Sequence, residues 1–316
     1  MARRPGAAID LGSTSVHLLI ARPAGSELVV IDDESSFLGL GAAVDGPGVL
    51  GPDARATVVA TVAGYVERAR AAGALQPVVI GTEPLRRLAD ADRIVAGISA
   101  ACGVPVHVLA HEEEAQLTLI GLTAGRTVRR DLIVVDIGGG SSEVIEIGPN
   151  RPARAAGIAV GAGRLTRSIV SHDPPLATEI ASLTAAADAA FTWSPTRPPG
   201  DVVAVGGTAT NLLKLLRRSA GADASDVLDR AALDTVRDIV SRTPADVLAV
   251  EFGMREARIR LLAAGAAIIE AVLGRTGVDA IRVADSGIRE GAIIAADRAG
   301  PAWRERLEEL AHGWIG

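Results

Sequence analysis

Two stretches of this chain repeat one pattern of apolar and polar positions. Apolar Ala7-Ala8-Ile9 leads into Asp10-Leu11-Gly12-Ser13-Thr14-Ser15 and resumes as Val16-His17-Leu18-Leu19-Ile20, which predicts strand, tight turn and strand. Leu132-Ile133-Val134-Val135 runs in the same way into Asp136-Ile137-Gly138-Gly139-Gly140-Ser141-Ser142, and Glu143-Val144-Ile145-Glu146-Ile147 resumes as an alternating strand. One device used twice predicts two related domains. Between the copies the spacing predicts a helix over 54–72, a short buried strand over 78–80, a helix over 91–102 and a strand over 106–109. Beyond the second copy it predicts a helix over 174–190 and a strand over 202–205 that enters Gly206-Gly207-Thr208-Ala209-Thr210, with a helix following through Leu216. Helices over 231–241 and 255–273, a strand over 280–284 and a last helix over 301–311 complete an α/β pattern, and the Pro/Ser-rich stretch 192–200 reads as a surface loop. The expected domains are residues 1–126 and 127–316, with the last helix returning to the first domain.

Composition narrows the class. With 316 residues, 48% of them hydrophobic, the chain can bury a core in each of two domains of about 150 residues. Cys102 is the one cysteine, so neither an intrachain disulfide nor a cysteine-built zinc site is available, which fits a reducing compartment and predicts a cytoplasmic protein. The start, Met1-Ala2-Arg3-Arg4-Pro5, is basic, but Asp10 breaks the apolar run behind it, so no export signal is expected. Apolar runs are too short or too charged for a membrane span, which needs roughly 18 uninterrupted residues. A net charge of -6 argues against a nucleic-acid face, and a polyanionic ligand would need metal ions or a few local arginines.

The chemistry gathers at the turns. Asp10 and Asp136 each end a strand and are followed by Gly/Ser turns whose N–H groups can converge on phosphate oxygens, and Gly206-Gly207-Thr208 follows a third strand. The two aspartates are expected to face each other across a cleft, where hard carboxylate oxygens suit Mg²⁺. Read locally, each is an Asx-turn residue. His111-Glu112-Glu113-Glu114-Ala115 reads as an acidic helix start, and Arg86 and Arg87, behind the 78–80 strand, as phosphate-binding or solvated arginines. The five histidines lack metal-site spacing, and Ser141, Ser142 and Thr208 lack a base for a serine triad. Neither a Walker loop nor a dinucleotide fingerprint is present.

In order and spacing, a set of these motifs resembles the exopolyphosphatase and guanosine pentaphosphate phosphohydrolase (Ppx/GppA) family of the sugar kinase, Hsp70 and actin superfamily. They are Ala8–Ser15, Thr82-Glu83-Pro84-Leu85-Arg86, Glu113-Glu114-Ala115, Val135–Glu143, Gly206–Thr210 and Asp285–Gly291, and they span nearly the whole chain. The resemblance implies two ribonuclease H-like domains with mixed five-stranded sheets and an interdomain cleft. It implies that Glu114 is the general base activating water, with Glu113 and Arg86 beside it in catalysis. Gly12, Ser13, Thr14, Ser15, Gly138, Gly139, Gly140, Ser141, Gly206, Gly207 and Thr208 would cradle phosphate, and Asp10, Asp136 and Glu143 would hold Mg²⁺ or Mn²⁺. The implied activity is metal-dependent hydrolysis of the terminal phosphoanhydride bond of inorganic polyphosphate with release of orthophosphate, with guanosine pentaphosphate as the alternative substrate, and a homodimer is expected.

The chain departs from the family pattern at four positions: Thr14 stands where Asn is common, Phe37 where Arg is common, His111 where Gly often precedes the glutamates, and Gln116 where Arg often follows Ala. At 316 residues it resembles the short two-domain members, which implies a preference for short chains. Two other classes stay open: a non-catalytic polyphosphate or nucleotide sensor, and a kinase on the same superfold, for which no acceptor or adenosine signature is present. Phosphate release to water separates the three.

Overall fold

The computed structural model describes residues 3–24, 27–149, 151, 153–220 and 226–313, so Met1 and Ala2 of the basic start lie outside the described residues. The strands are β1 (Gly6–Leu11), β2 (Ser15–Ala24), β3 (Glu27–Phe37), β4 (Val78–Gly81), β5 (Val106–Val108), β6 (Leu132–Ile137), β7 (Ser142–Ile147), β8 (Arg154–Ile158), β9 (Asp201–Val205), β10 (Val227–Asp229) and β11 (Ala280–Val283). The helices are α1 (Leu40–Asp45), α2 (Pro52–Ala71), α3 (Glu83–Arg87), α4 (Ala91–Cys102), α5 (His111–Thr123), α6 (Ala162–Ile169) and α7 (Ala177–Ala190) in the first part of the chain. They continue as α8 (Gly206–Ala220), α9 (Arg230–Arg242), α10 (Ala245–Glu251), α11 (Glu256–Ile259), α12 (Leu262–Thr276), α13 (Ile288–Ala299) and α14 (Leu307–Ala311).

The chain forms two compact units. The first contains residues up to Val128 and those from Ser286 onward; the second runs from Arg129 to Asp285. The last helix was expected to return to the first domain; in the structure α14 lies in the first unit, and α13 lies there with it. The reason is packing at close range. A Cβ at Gly291 of α13 would fall on the Leu117 carbonyl of α5, and one at Gly121 of α5 would fall on the Gly287 carbonyl. Glycines on both helices thus let the backbones touch.

The first unit holds a five-stranded mixed sheet in the order β3-β2-β1-β4-β5, antiparallel across β1–β2–β3 and parallel across β1–β4–β5. Alternation along β1 sends Ala7, Ile9 and Leu11 into a core with α2 residues Val58, Val62 and Val66 and α4 residues Ile94 and Ile98. Asp10 therefore lies on the other face, with Gly6, whose Cβ position meets Ile293 of α13 at 2.8 Å. Pro52 at the start of α2, Asp53 in its first turn and Arg68 and Arg70 in its last match the helix's own polarity.

The second unit repeats the plan. Its order, β10-β11-β9-β6-β7-β8, matches that of the first sheet with β6, β7, β8, β9 and β11 in the places of β1, β2, β3, β4 and β5. It has six strands where five were expected. The sixth is β10, a three-residue edge strand antiparallel to β11, too short to leave an alternation in the sequence. Ile133, Val135 and Ile137 of β6 enter the core with α7 and α12, so Asp136, like Asp10, lies on the opposite face. The stretch 192–200 is anchored, with Phe191 and Trp193 buried in this core. The helix expected over 255–273 is divided at Arg260, which pairs with Asp173 at 2.7 Å before α12 begins. Among the described residues, no helix is long and apolar enough to cross a membrane.

Candidate active site

In the first unit the turn between β1 and β2 closes through Gly12, whose N–H donates to the Ser15 carbonyl at 3.1 Å. The carbonyls of Ser13 and Thr14 accept from the N–H groups of Gly41 (2.8 Å) and Gly39 (3.0 Å). A trans peptide sets each C=O antiparallel to the N–H that follows it. The amides of Thr14 and Ser15 therefore point away from Gly39 and Gly41 and form a pair suited to an anion. Gly39 takes a φ of +63°, a conformation that glycine adopts without penalty, and this lets its N–H reach the turn. Beneath the turn, the Ser13 hydroxyl donates to the Glu83 carboxylate at 2.7 Å. Glu83 is 4% exposed and is also held by Arg87 at 2.5 Å.

The strand β4 delivers α3, and the loop after β5 delivers α5, so Arg86 and Glu114 come from two adjacent parallel strand ends. Glu114 is 6% exposed, and its Oε1 accepts from Arg86 Nη1. The same Nη1 donates to the Leu109 carbonyl at 2.7 Å, and Nη2 lies 3.0 Å from His111 Nδ1. Arg86 thus clamps Glu114 against the start of α5. A buried carboxylate in this position is stable only with its partner, since removing one member of such a pair costs about 3–5 kcal/mol.

Glu113, expected among the catalytic residues, has structural partners. Its Oε2 accepts from the Ala110 N–H at 2.7 Å, and its carboxylate takes a bidentate pair from Arg304, at 2.6 and 2.8 Å. Arg304 Nη2 also reaches the Val108 carbonyl at 2.8 Å, and the neighbouring Trp303 meets His107 edge-on with ring centroids 5.1 Å apart. Burial works to raise the Glu113 pKa, but the hydrogen bonds from Arg304 and Ala110 and the charge of Arg304 outweigh it and hold the carboxyl below its ordinary value.

In the second unit Gly138 repeats the closure, its N–H donating to the Ser141 carbonyl at 3.0 Å. Here the carbonyls of Gly138 and Gly139 accept from Ala162 (3.0 Å) and Arg164 (2.8 Å) at the start of α6, so the amides of Gly139 and Gly140 point away from that helix. A Cβ at Gly161 would lie 2.6 Å from Gly139 backbone carbon, which is why the helix can seat directly on the turn. Asp136 pairs in register with Glu143, so two carboxylates project from the same face of adjacent strands. Glu143 is 5% exposed and accepts from the Ser141 hydroxyl at 2.8 Å. In the first unit the matching partner of Asp10 is His17.

The third turn is the junction of β9 and α8. Gly206 has a φ of +88°, and a Cβ there would fall on the Asp136 carboxylate. Gly207, in the first turn of α8, lies under Arg258, whose Nη1 is 3.1 Å from the Gly207 Cβ position. Burial, and then the charge of Arg255, lower the Arg258 pKa. The Arg258 guanidinium and the Asp136 carboxylate thus both lie against this turn. Thr208 turns its methyl group toward Gly265 of α12, 2.6 Å from the Cβ position there.

A profile of the Ppx/GppA phosphatase family matches residues 19–297. The chain belongs to the Ppx/GppA phosphatase family. Exopolyphosphatase 1 of Mycobacterium leprae is 27% identical over 301 residues, which cover 90% of this chain and 87% of that protein. Exopolyphosphatase 2 of Mycobacterium tuberculosis is 26% identical over 326 residues, covering 93% and 98%. Among solved structures, an exopolyphosphatase from Cytophaga hutchinsonii superposes with a TM-score of 0.81 at 20% identity over 93% of this chain and 98% of that one. The Aquifex aeolicus PPX-GPPA enzyme superposes with a TM-score of 0.75 at 23% identity over 92% and 99%. These likenesses establish the fold as the actin-like ATPase superfold.

Three features of this Ppx/GppA site escaped the reading of the sequence. Gly161-Ala162-Gly163 behind the second turn was legible as a Gly-x-Gly pair entering a helix. Arg255 and Arg258, three residues apart, carried a local signal too. Arg304 carried none, because its partner Glu113 lies 191 positions away.

Proposed function

We propose that this chain is an exopolyphosphatase, hydrolysing the terminal phosphoanhydride bond of inorganic polyphosphate. The observation that carries the reading is the buried Glu114, oriented by Arg86 within a unit that also offers the Thr14 and Ser15 amides. Naming of the mycobacterial relatives as exopolyphosphatases supports polyphosphate as the substrate class. In this reading Glu114 accepts a proton from water as the water oxygen bonds to the terminal phosphorus. The bridging P–O bond breaks, its electrons leave with the shortened chain, and orthophosphate is released. Arg86 holds Glu114 in place, and the paired amides of Thr14 and Ser15, in the same unit, receive phosphoryl oxygens.

A divalent metal, Mg²⁺ or Mn²⁺, fits the second unit's donors. Two carboxylates opposite each other on neighbouring strands repel, and a cation relieves that repulsion. The hard oxygens of Asp136 and Glu143 are the ligands such ions prefer, and Asp10 ends the matching strand of the first unit. Bound metal would neutralise charge on the transferred group and on the leaving phosphate.

The test is orthophosphate release from short polyphosphate, long polyphosphate and guanosine pentaphosphate, each with Mg²⁺, by the wild type and Glu114→Gln. Release from polyphosphate that collapses in the variant is the expected result. Release from guanosine pentaphosphate alone would move the substrate, and no release from any of the three would overturn the enzyme reading.

A further inference from the structure

Glu83 is a buried carboxylate beneath the β1–β2 turn, whose amides suit an anion. A second negative charge in such a place is costly unless it is paired, and its two oxygens are paired separately. Oε2 accepts from the Ser13 hydroxyl at 2.7 Å, and Oε1 accepts from Arg87 Nη1 at 2.5 Å. Arg87 also reaches Asp45 of α1 at 3.0 Å, and Gly41 of the same helix donates to the Ser13 carbonyl. The contacts therefore close a ring: Ser13 to Glu83, Glu83 to Arg87, Arg87 to α1, and α1 back to Ser13.

An ionised carboxylate only accepts hydrogen bonds, so the Ser13 hydroxyl proton is taken by Glu83. Donation to phosphate at this turn then falls to the Thr14 and Ser15 amides, whose direction depends on how Ser13 is held. Ser13 is held at both its carbonyl and its side chain. Glu83 is itself tied to β1 through its neighbour Thr82, whose N–H and hydroxyl both donate to the Leu11 carbonyl, at 3.4 and 3.1 Å. Three residues after Glu83, the same short helix α3 carries Arg86, the partner of Glu114. One segment thus grips the turn with its first residue and the buried Glu114 with its fourth.

We propose that Glu83 is a positioning residue: through Ser13 it fixes the Thr14 and Ser15 amides relative to the Arg86–Glu114 pair, so that a phosphoryl group on the turn stands in reach of the water Glu114 activates. Its kinetic consequence rests on the phosphatase reading, whereas the link between turn and α3 is a property of binding. Attack on phosphorus needs both partners in place, and a displacement of about 1 Å costs about 10²-fold in rate.

The test compares Ser13→Ala, Glu83→Ala and Glu83→Gln with the wild type as full chains, using inorganic tripolyphosphate with Mg²⁺. In Ser13→Ala and Glu83→Ala, kcat is expected to fall about 10–100-fold while KM stays within about threefold, because the amides still bind phosphate but hold it out of line. Glu83→Gln keeps an acceptor for Ser13 and is expected to recover most of the lost kcat. The double variant Ser13→Ala/Glu83→Ala costs no more than either single change, as two ends of one contact do. Ser13→Ala leaves the Glu83–Arg87 pair intact and so carries the test where Glu83→Ala fails to fold. Hydrogen exchange of the peptide spanning 12–16 is expected to slow on tripolyphosphate binding in the wild type and to slow much less in Ser13→Ala. An unchanged kcat in Ser13→Ala, a raised KM at unchanged kcat, or losses that multiply in the double variant would overturn the positioning. A wild type that releases no phosphate would overturn the phosphatase reading, and exchange then decides the positioning alone. Protection absent from the wild type, or equal in the wild type and Ser13→Ala, overturns it.

Discussion

Glu113 and Glu114 are neighbours in the chain, yet their carboxylates bind arginines from opposite ends of the sequence: Arg304 holds Glu113 and Arg86 holds Glu114. One glutamate fastens the returning C-terminal segment to the start of α5. Its neighbour is fixed, buried, against α3.

That separation predicts different mutant phenotypes. Glu114→Gln lowers the phosphate-release rate by about 10²–10⁴-fold, the range for removing a general base, and also lowers stability by up to about 3–5 kcal/mol because Arg86 loses its buried partner. Glu113→Gln leaves the rate within about threefold and lowers the urea midpoint, by about 1 kcal/mol in stability, because the pair it breaks is partly solvated. Rates and urea melts of the two variants decide it, and a Glu113 variant that loses activity while melting like the wild type would reverse the assignment.

At the β9–α8 junction, Gly206→Ala meets both a left-handed φ and the Asp136 carboxylate. Strain of this kind costs about 1–3 kcal/mol. Because the carboxylate must move, the variant is also expected to need more Mg²⁺ for half-maximal phosphate release. A metal titration alongside a thermal melt reads both effects.

Asp136→Asn removes one of two like charges opposed across β6 and β7. In metal-free buffer the variant is expected to be more stable than the wild type by about 0.2–1 kcal/mol, while phosphate release falls at every Mg²⁺ concentration. A stability loss in metal-free buffer would argue that the pair is not repulsive as built.

The α5–α13 contact depends on glycine. Gly291→Ala drives a methyl group into the Leu117 carbonyl, and overpacking of this kind costs about 1–3 kcal/mol. Limited proteolysis is expected to cut the C-terminal segment faster in the variant, and Gly274→Ala, where a Cβ meets nothing, is the matched control.

The Glu179 carboxyl sits at about 2, below its ordinary 4.5, chiefly through the hydrogen bond with His172 and then through the N–H groups of Ser171 and Leu176. A carboxyl depressed on folding contributes stability above its unfolded pKa and loses it as pH falls toward the folded value. The wild type is therefore expected to lose stability relative to Glu179→Gln between about pH 4.5 and pH 2. Urea midpoints of both proteins across that window give the comparison, and parallel curves would remove the assignment.

Much of the fold was legible because strands β1, β2, β6 and β7 are buried and so keep strong apolar patterns around their turns. The edge strand β3 was not, since Asp32-Asp33-Glu34 interrupt its apolar run and an edge need not alternate. β8 is built largely from Ala and Gly, and β10 has three residues, so neither leaves a period to read. The carboxylates, glycine turns and Arg86 were all nameable from motif order. Their partners were not.

By itself, the sequence determined that this is a duplicated α/β chain with a carboxylate and a glycine turn at each strand end, because those features are local and repeat in the residues themselves. Tertiary structure alone decided that α13 joins the last helix in the first unit, that Glu113 is a fastener while Glu114 is clamped by Arg86, and that α6 and Arg258 support the second unit's turns. Each of these is a contact between residues far apart in the chain. Such contacts are set by which surfaces can approach closely, as at Gly121 and Gly291, and no local period records them.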